Sequence, residues 1–349
     1  MWTLRIVPNL RSSVVEEMPA TQEALFTSAL GDADPALLAD PRVRPFTWRR
    51  LLAALRDPEL ALLEVAEPLW AGEWVRALRA VALVKVLRRD VAVATYAIEN
   101  LDARERLGSR RRALAVGASM LTLDAVAFGT SGAATNYRRA FGWSLRRTEH
   151  AVLPPRLGDC RVCGPGDAER DRTVLFLGAP SDRKGFGVLL DAWTRCGAAD
   201  RGWRLVVADP SGAVERAVPP GVSITSPTRA AVHDLLRRAA VVALPSVRRP
   251  GWREQIGLPL VEGLAHGCRV VTTTETGLAD DLRGHALVTL TTPGDPGSLA
   301  DGLARAMGGG SHDVAETYPS GGAGYAKSDV VAWWLQATGA AGVTAPARR

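Results

Sequence analysis

TVLFLG (173–178), WRLVVAD (203–209), AVVALP (240–245), CRVVTTT (268–274) and ALVTL (286–290) are short runs rich in Val, Leu and Thr. Between them the apolar period becomes helical, at about 185–198, 228–239, 257–267 and 295–307. Continuous apolar strands alternating with helices predict a parallel sheet covered on both faces, because strands buried on both sides show no polar alternation. This half of the chain reads as a doubly wound α/β domain.

Working outward, the first half repeats the pattern less cleanly. TLRIVP (3–8), VAVATYA (91–97) and DAVAFGT (124–130) read as strands, and helical patterns cover about 49–64, 72–88, 103–120 and 132–141. The 349 residues, at about 150 per domain, suggest two domains. The expected layout is a Rossmann-like domain at 1–150, a Pro/Gly-rich linker at 151–171 and a second Rossmann-like domain at 172–315. A Gly-rich segment (308–324) then precedes a helix at 325–340, with Ser328 as N-cap, that packs back on the first domain.

Composition narrows the function. With 47% hydrophobic and 23% charged residues the chain is an ordinary folded protein. The net charge of +6 is spread over both halves, so no basic arm for nucleic acid is present, and an anionic ligand or anionic membrane face suits it better. The start, MWTLRIVPNL, reads as a buried strand rather than a signal peptide. The longest apolar candidate span, 113–129, is short of a bilayer crossing and contains Asp124. Four cysteines make no disulfide framework. Cys160 and Cys163 form one C-x-x-C with no second pair and no histidine close in sequence, so reduced thiols, no bound metal and a cytoplasmic location are expected. Arg110–Arg112, Arg138/Arg139 and Arg146/Arg147 read as solvated helix faces, with peripheral contact at the inner membrane face as the minority reading.

Two strand-end segments carry chemistry. Gly178-Ala-Pro-Ser-Asp-Arg-Lys184-Gly185 leads from a strand into a helix start, where a lysine adds full charge to free N–H groups and phosphate is the natural guest; a solvated loop lysine is the plain alternative. Glu254-Gln-Ile-Gly-Leu-Pro-Leu-Val-Glu262 places one glutamate in a loop and another about a turn into the next helix. Carboxylates suit vicinal sugar hydroxyls, and Gly257 allows close backbone approach. Two surface glutamates on an amphipathic turn are the alternative.

Together, G-x-x-S-x-x-K-G (178–185), Pro245-Ser246, EQIGLPLVE (254–262) and AHGCRVVTTTETGLADD (265–281) resemble, in order and spacing, the retaining GT-B glycosyltransferases of the family 4 type. The resemblance spans roughly 140 residues, and the first domain joins it by architecture alone. It implies two doubly wound domains facing a cleft, with the nucleotide-sugar donor in the second and the acceptor in the first. By that resemblance Glu254 contacts the donor sugar, Glu262 the ribose, and Lys184 the diphosphate. Backbone N–H groups near Gly257 and Leu258 hold the phosphates. The reaction implied is transfer from a nucleoside diphosphate sugar with retention and no cofactor or metal.

Three positions depart from that family's pattern. Ala179 stands where it usually has Arg, leaving Arg183 or Arg253 as replacements; Pro8–Ser13 replace a Gly-Gly loop; and residues 1–149 contain no histidine. On the acceptor side Glu99 and Asn100 follow a strand, with Asn100 or Asp102 as a helix cap the competing reading. Gly129-Thr130-Ser131-Gly132 ends another strand and is not a dinucleotide fingerprint. Asp32-Ala33-Asp34 reads as a loop rather than a metal-binding D-x-D. The rival functions are a non-catalytic sugar-nucleotide-binding subunit and a sugar-nucleotide epimerase of the same fold.

Overall fold

The computed structural model describes residues 1–30, 33–155, 160, 162–163, 170–209, 217–309 and 325–340. Asp32, most of the expected linker and nearly all of the Gly-rich segment lie outside these. The chain divides into two compact units, Met1–Pro155 with Tyr325–Arg349, and Arg156–Gly324.

The first unit is built on a seven-stranded sheet: β1 (Trp2–Leu10), β2 (Gln22–Ala29), β3 (Val43–Pro45), β4 (Leu60–Val65), β5 (Ala92–Ala97), β6 (Ala125–Phe128) and β7 (Glu149–Val152). The order is β3-β2-β1-β4-β5-β6-β7, and every pairing is parallel. The connecting helices are α1 (Ser12–Glu16), α2 (Pro35–Leu38), α3 (Trp48–Leu55), α4 (Ala71–Leu87), α5 (Ala103–Leu107), α6 (Arg110–Ser119) and α7 (Ser131–Leu145).

Two expected helices are corrected. The stretch 49–64 is α3 followed by β4, because Asp57-Pro58 ends the helix and LALLEV then pairs between β1 and β5, buried at every residue. The stretch 103–120 is two helices, α5 closing on the left-handed Gly108 (φ 66°).

The second unit holds six parallel strands: β8 (Asp171–Leu177), β9 (Arg204–Ala208), β10 (Val222–Thr225), β11 (Ala239–Leu244), β12 (Arg269–Thr273) and β13 (Val288–Thr291), in the order β10-β9-β8-β11-β12-β13. Its helices are α8 (Phe186–Arg195), α9 (Arg229–Arg238), α10 (Leu258–Ala265) and α11 (Pro296–Gly308). Phe176, Phe186, Trp193, Val207, Val241, Val271 and Leu303 form part of its buried core.

Both sheets reverse direction once, at β1/β4 and at β8/β11, and the carboxyl ends of strands beside such a reversal are where doubly wound folds bind ligands. The last helix, α12 (Lys327–Ala337), packs on the first sheet. Val330, Val331 and Trp334 sit against Leu62, Ala92, Ala94, Ala125 and Ala127, the alanines leaving room for the indole. Buried Lys327 donates to Glu64 at 2.6 Å and lies 4.5 Å from the Trp334 ring centroid. Burial pulls its ammonium down to about 8, against the pull of Glu64 in the other direction.

Candidate functional site

The loops after β8 and β11 flank the reversal of the second sheet, and here the sequence-predicted residues meet. A single 3-10 turn, Asp182–Lys184, follows β8 and ends at Gly185 (φ 68°). A Cβ at Gly185 would collide with the Pro245 carbonyl, so glycine is required for the two loops to touch. The Val247 N–H donates to the Arg183 carbonyl at 2.9 Å, tying the loops together.

That closeness brings residues 70 apart into contact. Lys184 Nζ donates to Glu254 Oε2 at 2.7 Å, and Ser246 Oγ donates to the same oxygen at 2.9 Å. The pair is largely shielded, the side chains being 15% and 11% exposed. Thr273 Oγ1 donates to the Ser246 carbonyl at 2.6 Å, and Thr272 Oγ1 to that of Leu244 at 2.8 Å, holding the ends of β11 and β12.

Gly257 (φ 78°) is the N-cap of α10; Pro259 has no N–H and the Leu260 N–H donates to the Gly257 carbonyl at 2.8 Å, so Leu258 carries the first N–H of the helix. A Cβ there would stand 2.8 Å from Thr276 Cγ2. Leu258 is the first residue of α10 and Glu262 lies one turn in, where its carboxylate pairs with Arg229 at 2.7 Å. Sequence reading missed Arg229. It opens α9 behind the cap Thr228, 33 positions from its partner, and only the packing of α9 beside α10 connects them.

Ala179 is exposed. Arg183 stacks over Trp252 at 4.8 Å, and Arg253 pairs with Glu275 at 2.8 Å.

In the first unit, Glu99 and Asn100 are both buried after β5. Glu99 Oε1 accepts from the N–H groups of Asn100 and Leu101, both at 3.0 Å, and Arg106 lies 3.4 Å from Oε2. Asp102 is the N-cap of α5, accepting from Arg104 N at 2.9 Å. Asp34 caps α2.

Glu67 was also missed, because its strand read as helix. It follows β4 at the reversal of the first sheet, and its Oε2 accepts from Ile98 N, Glu99 N and the Tyr137 hydroxyl at 3.1, 3.0 and 2.9 Å. Full burial, then the charge of Glu99, pushes Glu67 up to about 8, so it is mostly protonated at neutral pH. Burial likewise raises Tyr137. A carboxyl kept neutral beside a second carboxylate can hold a proton for acid–base work.

Two parallel Rossmann-like sheets make the GT-B fold, and the Lys–Glu pair and the start of α10 lie at the reversal of the second. Residues 171–308 match the family model described as Glycosyl transferases group 1. Among solved structures, the chain is similar to Anabaena Alr3699/HepE in complex with UDP (TM-score 0.62, 14% identity, covering 98% of this chain and 97% of that one). It is also similar to the alpha,alpha-trehalose 6-phosphate synthase of Burkholderia multivorans (TM-score 0.58, 15% identity, 100% and 99% covered) and to a glycosyltransferase of Rickettsia africae (TM-score 0.57, 11% identity, 90% of each covered). At these identities the likeness establishes the fold. No curated protein sequence matches the chain. No helix among the described residues is long and apolar enough to cross a membrane.

Proposed function

We propose that this chain transfers a glycosyl group from a nucleoside diphosphate sugar to an acceptor, with retention of anomeric configuration and without a catalytic metal. The second unit holds the donor and the first the acceptor. The observation that carries the reading is the convergence of Lys184, Glu254 and the start of α10 on one sheet reversal. Glu254, on the donor sugar, is kept in register by Lys184 and Ser246. Lys184 and the backbone N–H groups of Gly257 and Leu258 stabilise the departing diphosphate, charge that develops as the glycosidic bond breaks. Glu262, oriented by Arg229, accepts from the ribose hydroxyls. The related fold of HepE, solved with UDP-glucose, supports a uridine donor. On the acceptor side Glu99 and Asn100, beside the neutral Glu67, are the groups for acceptor hydroxyls.

Four unbridged cysteines fit a cytoplasmic reaction. Exposed Arg110, Arg111, Arg138 and Arg146, on helices that also expose Leu114 and Trp143, suit contact with an anionic membrane face.

A panel of nucleoside diphosphate sugars, screened for thermal stabilisation and then for transfer without magnesium or manganese, tests this. Retention is read from the anomeric configuration of the product. Stabilisation by a donor with neither hydrolysis nor transfer supports the non-catalytic reading, which the exposed Ala179 favours; interconversion of the donor sugar supports an epimerase.

A further inference from the structure

Cys160, Cys163, His233 and His266 come together in the second unit, their donor atoms all within 4.8 Å of one another. The sequence expectation treated the C-x-x-C as isolated. The fold instead brings a histidine from α9 and another from the end of α10 to it. His233 Nδ1 lies 3.6 Å from each sulfur and 3.3 Å from His266 Nε2. We infer that these four residues bind a structural zinc ion.

Three of the separations, those from His233 Nδ1, match a tetrahedron. Zinc bonds of about 2.3 Å to sulfur and 2.0–2.1 Å to nitrogen give edges of about 3.5–3.6 Å for S···N and about 3.3–3.4 Å for N···N. The three observed separations fall on those edges. The outer contact of His266 also fits. His266 Nδ1 donates to the Glu262 carbonyl at 2.7 Å, and a carbonyl only accepts, so the ring proton sits on Nδ1 and the Nε2 lone pair faces the cluster. The Cys160 N–H donates to the Ala265 carbonyl at 2.9 Å, fastening the C-x-x-C to the end of α10. Both histidines are buried and both cysteines are unbridged. Two thiolates balance a divalent ion, so the loaded site is neutral, and loading releases the two thiol protons to solvent. A closed Cys₂His₂ set selects zinc for structure rather than catalysis.

The placement connects the ion to the donor site. Arg229 and His233 are four apart on α9, and Glu262 and His266 are four apart at the end of α10. The Arg229–Glu262 ion pair and the zinc therefore join the same two helices one turn apart, and the zinc fixes the register in which Glu262 is presented.

Metal analysis of the full-length chain, with cobalt(II) substitution, tests this. We expect one zinc per chain and, with cobalt, the visible and thiolate charge-transfer bands of a tetrahedral S₂N₂ site. Cys163→Ser and His266→Asn each lower zinc occupancy below about one in ten at the same buffered zinc, because the remaining ligands no longer close the tetrahedron. Cys196→Ser, on a free cysteine outside the cluster, leaves it at one. Should the ligand variants fail to fold, the cobalt spectrum of the native chain decides alone. A metal-free native chain unchanged in melting temperature by added zinc, or an octahedral cobalt spectrum, overturns the inference. These readouts need no donor or acceptor, so they stand or fall separately from the transferase reading.

Discussion

Replacing Lys184 by Met probes the part of the site where structure and chemistry are most tightly joined. In the native chain Glu254 Oε2 accepts from Lys184 at 2.7 Å and from Ser246 at 2.9 Å, in a position where the glutamate is 8% exposed. Losing Lys184 leaves a nearly buried carboxylate with a neutral hydroxyl in place of an ammonium. Breaking a buried pair from one side costs about 3–5 kcal/mol, and the 15% exposure of the lysine moderates this to roughly 2–3 kcal/mol. Glu254→Gln removes the charge that is left behind, so Lys184→Met in that background costs under about 1 kcal/mol, the difference being their coupling. Turnover falls further than stability, by about 10²–10³, because one electrostatic stabiliser of the leaving diphosphate is gone and Ala179 supplies no second cation. Ala179→Arg restores part of that loss, being exposed at the same loop. The assays are urea denaturation of the four members of the cycle and steady-state nucleotide release. Near-normal turnover in folded Lys184→Met, with turnover lost in Arg183→Ala or Arg253→Ala, refutes the assignment of the phosphate-binding cation.

Glu262→Ala weakens binding of the nucleoside diphosphate at least about tenfold, since hydrogen bonds to charged groups contribute roughly 1.5–3 kcal/mol, and calorimetry showing unchanged affinity removes Glu262 from the site. Glu67 binds its proton more tightly folded than unfolded, so its contribution to stability is full below pH 4.5 and falls as pH rises toward 8, by up to about 1.4 kcal/mol per pH unit. Glu67→Gln removes that slope while keeping an acceptor for Tyr137, and a slope that persists in the variant assigns it to other groups. Glu64→Gln costs about 3–5 kcal/mol because Lys327 loses its adjacent carboxylate and keeps a neutral amide oxygen, two aromatic faces and the more distant charge of Glu17, whereas Lys327→Met costs much less because Glu64 keeps Arg5 at 3.1 Å and Gln22 at 3.2 Å; equal losses in denaturant melts contradict this asymmetry.

Five strands of the second sheet were legible in the residues because they are continuous apolar runs and its helices keep a clean period, both local signals, whereas β10 (VSIT) alternates half-buried and exposed residues and was missed. Lys184, Glu254, Gly257 and Glu262 could be singled out for the same reason: they stand at strand ends and helix starts, which are local features of the chain. The first sheet was read in part. β4 merged into a helix because LALLEV carries no alternation, and β2, β3 and β7 lack the Val-rich runs that mark buried strands.

Contacts between distant residues depend on packing that no window of sequence contains. The collision that makes Gly185 obligatory arises from Pro245, sixty residues on, and only that close approach sets Lys184 on Glu254. Arg229 finds Glu262, and the C-x-x-C finds His233 and His266, because α9 and α10 lie side by side against one sheet. Glu67 owes its high proton affinity to burial beside Glu99, two positions past strands whose neighbourhood is fixed by parallel pairing. The sequence by itself determined which residue types stand at the strand ends and helix starts, since hydrophobic period and turn chemistry act over a few residues. Which of them touch, and how strongly each holds its proton, was decided by tertiary structure, because ion pairing, metal-ligand geometry and desolvation act through space.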